Sequence, residues 1–263
     1  MKLLAINASH RGDRGRTRFL LDRLFDGATE AGADCEVVTL ARLKINRCLG
    51  CRQCQTEAHY LQCIQKDDVS QVFEKMAAAD VLVYATPVYL YAMTGLLKTF
   101  LDRIFGICDV ADIKLSHSGL VHHHVNEAVC GKPFVTLVVC GNIEAETPKN
   151  ALAYFRTYAK FMDAPRVGTL VRNAANYIEP ESDGDIEDPR VRAVCAAYEQ
   201  AGRELATLGR IRPATQRQAN RELVPVPLFG LLRRVPFRPF KTMIAAGARE
   251  AAQAAKVREE SVV

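Results

Sequence analysis

The chain has 263 residues, 49% hydrophobic and 25% charged, with a formal net charge of +5. That balance excludes fibrous, low-complexity and intrinsically disordered classes, and no apolar run approaches the roughly 18 residues that cross a bilayer. It leaves room for one domain of about 200 residues plus an extension. The apolar run in MKLLAINASH is too short for a signal peptide, so a cytoplasmic protein is expected.

Lys2 to Ala8 reads as a first buried strand, followed by the polar, glycine-containing loop Asn7 to Thr17 and a helix through Phe19, Leu20, Leu24 and Phe25. Such a loop at a helix N-terminus presents free backbone N–H groups and the positive end of the dipole, which suits a phosphate; a solvated loop is the alternative. Arg11, Arg14 and Arg16 add charge there. The loop lacks the lysine of a P-loop, which argues against a nucleoside triphosphate. Cys35 to Leu40 makes a second strand.

Cys48, Cys51 and Cys54 follow at C-x2-C-x2-C spacing, with Cys63 after a gap of eight residues. Three thiolates at that pitch can wrap one face of a cubane and a fourth closes the set, so a [4Fe–4S] site is one reading. Redox thiols or small core residues are a second, and zinc is a third. Nine cysteines, four of them in this stretch, fit a reducing compartment better than a disulfide framework. Asp68 with Gln71 predicts a capping box opening a helix through Val72, Phe73 and Met76.

Val81 to Thr86 is a continuous apolar run, the pattern of a parallel strand buried on both faces, and Thr86-Pro87 is expected to end it. Val88, Tyr89, Leu90, Tyr91 and Met93 form an aromatic loop; Leu96, Leu97, Phe100, Leu101 and Ile104 then recur at helical spacing. Beyond the carboxyl end of a parallel strand that loop lies where ligands bind, and a flat ring suits it; plugging the core is the alternative. Ile107 to Asn126, with His117, His122, His123 and His124, has no clear period and reads as a loop over the ring. Three adjacent histidines cannot all face one metal.

Phe134 to Cys140 predicts a fourth strand with Gly141 and Asn142 at its carboxyl end, then Pro148 to Met162 a helix with Leu152, Phe155 and Phe161 inward. Arg166 to Val171 makes a fifth strand, and Asp188 to Leu208 a last helix with Pro189 in its first turn. The alternation gives an α/β doubly wound, five-stranded parallel sheet of order 2-1-3-4-5 over residues 1–210. Residues 211–263 form a basic C-terminal extension, in which residues 211–258 hold ten Lys or Arg against two Glu. Its prolines argue against one long helix. The extension is expected to pack on a partner subunit or its own core, with peripheral contact to an anionic membrane as the alternative; no nucleic-acid motif accompanies it.

TPVYLYAMTGLLKTFLDR, residues 86–103, resembles the ring-contacting loop and helix of the flavodoxin-like NAD(P)H-dependent FMN reductases. Pro87, Val88, Tyr89, Leu97, Lys98, Phe100, Asp102 and Arg103 stand where that family's pattern puts them. Ser9, Arg11 and Thr17 match its phosphate loop, with Ala8 in place of the usual glycine. The cysteine spacing followed by Lys66-Asp67-Asp68 is similar to the iron–sulfur flavoprotein branch, whose last gap is generally shorter. The resemblance implies FMN, its phosphate at Ser9, Arg11, Arg16 and Thr17, its ring against Pro87, Val88, Tyr89, Leu90 and Tyr91, and its ring edge near Gly141 and Asn142. It also implies Cys48, Cys51, Cys54 and Cys63 as ligands of a [4Fe–4S] cluster, and a homodimer or homotetramer. NADH or NADPH would reduce FMN, and electrons would pass to a quinone, another small molecule or a redox protein. The alternative is a non-enzymatic electron carrier between protein partners.

Overall fold

In the computed structural model, residues 1–178, 186 and 188–224 are described, with a few positions between 239 and 249. Eight strands form, β1 (Lys2–Asn7), β2 (Asp34–Thr39), β3 (Val81–Tyr89), β4 (Ala92–Met93), β5 (Cys108–Leu115), β6 (Val121–Val125), β7 (Phe134–Val139) and β8 (Arg166–Arg172). Among residues 1–224, seven α-helices accompany them, α1 (Arg16–Glu30), α2 (Val69–Ala78), α3 (Gly95–Asp102), α4 (Glu127–Cys130), α5 (Lys149–Phe161), α6 (Pro189–Leu208) and α7 (Pro213–Ala219). The apolar runs of β1, β3 and β7 are buried along almost their whole length, as strands covered on both faces must be.

The central sheet has the order β2-β1-β3-β7-β8, with every neighbouring pair parallel, so the expected 2-1-3-4-5 arrangement is the one observed. One face packs Leu20, Leu24, Val194, Tyr198 and Leu205 of α1 and α6; the other packs Phe73, Leu97, Phe100 and Phe155 of α2, α3 and α5. On α5 it is Tyr158, not Phe161, that is buried beside Phe155. Where α1 crosses α6 the backbones touch. A Cβ on Gly27 would lie 1.9 Å from the Glu199 carbonyl oxygen, and one on Gly202 1.8 Å from that of Leu24, so only glycine fits either position.

Three local expectations change. β3 does not stop at Thr86; it runs on through Pro87, paired with Val139, and folds back as a hairpin in which Val88 faces Met93 and Tyr89 faces Ala92. Asp68 makes no side-chain cap on α2, because its carboxylate accepts the Lys44 N–H at 2.7 Å instead. The histidine-bearing segment is no loop over the ring. It is an antiparallel hairpin, β5 with β6, bulged between Asp109 and Ile113.

The chain divides into two units, Met1–Leu223 and Val224–Val263. The first extends past residue 210: Ile211, Ala219 and Leu223 join the core, and the buried Arg172 donates to the carbonyls of Ala219 at 2.9 Å and Arg221 at 2.8 Å. In the second unit the described positions between Pro239 and Arg249 are helical. Most of the basic-apolar stretch 225–244, and with it the expected membrane or subunit contact, lies outside the described residues. Among the described residues no helix is long and apolar enough to cross a membrane.

Candidate cofactor site

Parallel strands all end at one edge of the sheet, and three of the loops leaving that edge carry the site residues. The first follows β1. Asn7, fully buried, shapes it from inside: its Oδ1 accepts the Ser9 N–H at 3.2 Å and its Nδ2 donates to the Gly12 carbonyl at 3.3 Å. Ser9 and Thr17 are buried, while His10, Arg11 and Arg14 are exposed. The first hydrogen bond of α1 runs from Phe19 N–H to the Gly15 carbonyl, so the first-turn N–H groups ahead of it have no helical acceptor. A Cβ on Gly15 would come within 2.8 Å of Ser9 Oγ and 3.3 Å of the Arg11 Cβ, so the cradle closes only because that side chain is absent. A phosphate fits this geometry. Arg16 turns its Nε to the Ile178 carbonyl at 2.7 Å, across the start of α1.

The second loop is the β3–β4 hairpin. Leu90 and Tyr91 sit at its tip with φ of 44° and 65°, values that glycine or asparagine normally adopt in a two-residue turn. Holding bulky side chains there costs about 1–2 kcal/mol per residue. The tip is also exposed, Tyr89 at 44%, Tyr91 at 59% and Leu90 at 90%. Thr94 binds this hairpin to the first loop. Its Oγ1 donates to the Ala8 carbonyl at 3.0 Å and accepts the Leu97 N–H at 3.2 Å as the N-cap of α3, and its own N–H donates to Thr86 Oγ1 at 3.2 Å. A second link is aromatic, the His10 ring stacking on Tyr89 with centroids 5.8 Å apart and planes 13° from parallel.

The third loop leaves β7. Gly141 and Asn142 are exposed, with Asn142 Oδ1 accepting the Glu144 N–H at 2.9 Å and the Asn142 carbonyl accepting the Ala174 N–H at 3.0 Å. Ser9, Arg11 and Thr17, Pro87 to Tyr91, and Gly141 with Asn142 are therefore brought to one edge. Asn7, His10 and Thr94 were not foreseen as functional, although an Asn closing a strand and a Thr three residues ahead of a helical N–H are local turn and cap signals.

The cysteines are arranged differently. Cys54 is buried with its Sγ 3.7 Å from the Phe105 carbonyl, Cys51 and Cys63 are exposed, and Cys48 is half-buried. Among the described residues no three Cys, His, Asp or Glu side chains stand together as a metal-binding group, so the four thiols as folded do not fit a cluster. What the segment does have is a clamp at its base. Asp67 and Arg103 form an ion pair with side chains 1% and 2% exposed. Asp67 also accepts the N–H groups of Asn46 and Val69, while Arg103 donates to the Asn46 carbonyl at 2.9 Å. Burial pushes the Asp67 carboxyl up, but Arg103 and those two N–H groups more than offset it and hold it below the ordinary range.

The histidines lie elsewhere. The Asn126 N–H donates to the Ile107 carbonyl, α4 leads into the amino end of β7, and the His117 N–H donates to Asp163, just ahead of β8. The hairpin thus springs from the amino edge of the sheet. A cleft of about 500 Å³ there is lined by His117, His122 and His124 with Lys114, Cys130 and Asp163. Burial pushes the Cys130 thiol up to about 12, which keeps it protonated and inert.

A doubly wound parallel sheet whose loops gather polar, glycine-bearing and aromatic residues at its carboxyl edge is the flavodoxin-like architecture. Residues 1–175 match the family model for NADPH-dependent FMN reductase, and the chain belongs to that family. It is 39% identical over 103 residues to an iron–sulfur flavoprotein of Archaeoglobus fulgidus, a match covering 39% of this chain and 48% of that protein. The chain thus spans about half the length of that relative. It is 26% identical over 219 residues to FMN-dependent NADH:quinone oxidoreductase 2 of Pseudomonas aeruginosa, covering 78% of this chain and 99% of that one. In fold it is similar to an FMN-dependent NADH-azoreductase from Bacillus anthracis solved with FMN, with a TM-score of 0.57 at 14% identity over 78% of this chain and 99% of the other.

Proposed function

We propose that this protein is an FMN-dependent NAD(P)H oxidoreductase that hands electrons to a quinone or another small acceptor. Three loops meet at one sheet edge in a chain of the FMN reductase family, and that meeting carries the reading. When bound, FMN supplies the hydride chemistry. Ser9, Thr17 and the first-turn N–H groups of α1 hold its phosphate, Arg11 screens the charge from the solvent side, and Arg16 adds positive charge at the helix start. Pro87, Val88, Tyr89, Leu90 and Tyr91 wall one face of the ring and exclude water from it, while the backbone of Gly141 and Asn142 meets the ring edge. FMN titration followed by anaerobic NADH and NADPH oxidation with benzoquinone tests this. An FMN-loaded protein that turns over neither nicotinamide would sink it.

The C-x2-C-x2-C spacing and the names of the iron–sulfur relatives favour a second reading, an electron carrier with a [4Fe–4S] cluster on Cys48, Cys51, Cys54 and Cys63. Because those thiols do not converge here, no electron step is routed through them. About four irons and four acid-labile sulfides per chain would support the cluster, and an iron-free protein purified without oxygen would remove it. Association as a homodimer or homotetramer belongs to the oxidoreductase reading, because the exposed apolar Tyr89–Tyr91 tip offers a surface for a second copy of the chain; light scattering of the FMN-loaded protein checks it.

A further inference from the structure

We infer that His10 delivers a proton to the acceptor as that acceptor is reduced, an inference that rests on the oxidoreductase reading above. Reduction of a quinone to a hydroquinone takes up two electrons and two protons. A hydride from the reduced flavin brings both electrons and one proton and leaves a phenolate oxygen on the former quinone. The remaining proton comes from an acid at the site: the imidazolium N–H breaks, the hydroquinone O–H forms, and the neutral imidazole recovers its proton from solvent.

The fold places His10 for this step. It follows Ser9 directly in the phosphate loop, it is exposed to solvent, and its ring lies 5.8 Å from that of Tyr89 at 13°, at the seam between the cradle and the ring wall. The other charged groups of this loop are engaged or fixed in their charge, and three of the other histidines lie at the opposite edge of the sheet. Asp13, the carboxylate of the same loop, is taken up by Arg18 at 2.7 Å, by Thr39 at 3.1 Å and by Arg42. Arg11 and Arg14 are permanent cations. His117, His122 and His124 line the cleft at the amino edge of the sheet. An imidazole is also the side chain whose proton is exchanged near neutral pH, as a turnover-coupled acid requires.

The experiment compares the FMN-loaded protein with its His10→Gln variant on two acceptors. Benzoquinone needs the extra proton; ferricyanide takes single electrons and no proton. Benzoquinone reduction is expected to fall about 100-fold, the low end of general acid catalysis, and to be partly restored by imidazole in the buffer. Ferricyanide reduction by the FMN-loaded variant stays within about twofold. Independently of turnover, the histidine carbon-13 resonance that is missing in His10→Gln moves when FMN is added to the labelled apoprotein. Equal losses on both acceptors, no loss on benzoquinone, or a resonance unmoved by saturating FMN would each overturn the role of His10 and leave the oxidoreductase reading standing. No nicotinamide oxidation by the unsubstituted, FMN-loaded protein would overturn both.

Discussion

The loops at the carboxyl edge and the cysteine-bearing segment between Leu43 and Asp68 are both irregular, yet they are held in different ways. At the carboxyl edge, short polar side chains bond to backbone groups: Asn7 to Gly12 and Asn142 to Glu144 within their own loops, and Thr94 to Ala8 of another loop and to the start of α3. The cysteine segment is mostly exposed, and its two ends are drawn together by the buried Asp67–Arg103 pair. A site that must present fixed donors to a ligand is preorganised by many small bonds. The middle of the cysteine segment is held separately, Gln55 donating to the Cys108 carbonyl at 2.7 Å and accepting the Val110 N–H at 3.2 Å, while its ends are joined by the buried charged pair and by Asp68 with the Lys44 N–H.

Breaking the clamp should have the largest effect. Arg103→Ala leaves a buried carboxylate without its cation and is expected to cost about 3–5 kcal/mol in urea unfolding, with limited proteolysis cutting within residues 43–68 before the cradle opens. The same pair sets an acid limit. The Asp67 carboxyl is lowered in the folded state, so its stabilisation is present above the unfolded value near pH 4 and is lost as pH falls through the lower folded value. The urea midpoint of the native protein should decline between about pH 5 and pH 2, and Asp67→Asn should flatten that decline.

On the other side of the comparison, Thr94→Val removes the cap of α3 and leaves the Ala8 carbonyl without its donor. A loss of about 1–3 kcal/mol is expected, with weaker FMN binding measured by fluorescence titration. Replacing Leu90 with Asn and Tyr91 with Gly relieves the positive-φ strain at the hairpin tip. That double variant should gain about 1–2 kcal/mol in thermal unfolding while binding FMN more weakly, since the wall is gone. The smallest change is expected from Arg42→Ala, whose exposed pairing with Asp13 is worth less than about 1 kcal/mol.

The sheet order was legible because β1, β3 and β7 are uninterrupted apolar runs whose burial on both faces follows from composition alone. The loops that the fold gathers at the carboxyl edge were legible as loops because their polar and aromatic residues are consecutive. Asp67 and Arg103 are 36 residues apart and meet only through the fold, so a local reading finds the Asp68–Gln71 capping box and gives Asp67 no partner. The histidine hairpin escaped for another reason. Val121 to Val125 alternates, but histidines occupy both faces, and the bulge at Asp109–Ile113 breaks the period on its partner. Pro87 misled because a proline on a strand lacks only its own donor, and here the ladder includes it as the partner of Val139.

The contact of Gly27 with Glu199 and of Gly202 with Leu24 has a consequence for the order in which this protein can be made. The helix that carries the phosphate cradle at its N-terminus is seated against one whose residues lie some 170 positions later in the chain. While the ribosome is still adding β7 and β8, the side of α1 that α6 covers has no backbone to rest on. Cofactor capture is therefore a late event in biosynthesis: the first loop to emerge is among the last to become competent, and a chain truncated before residue 202 should leave the ribosome without FMN.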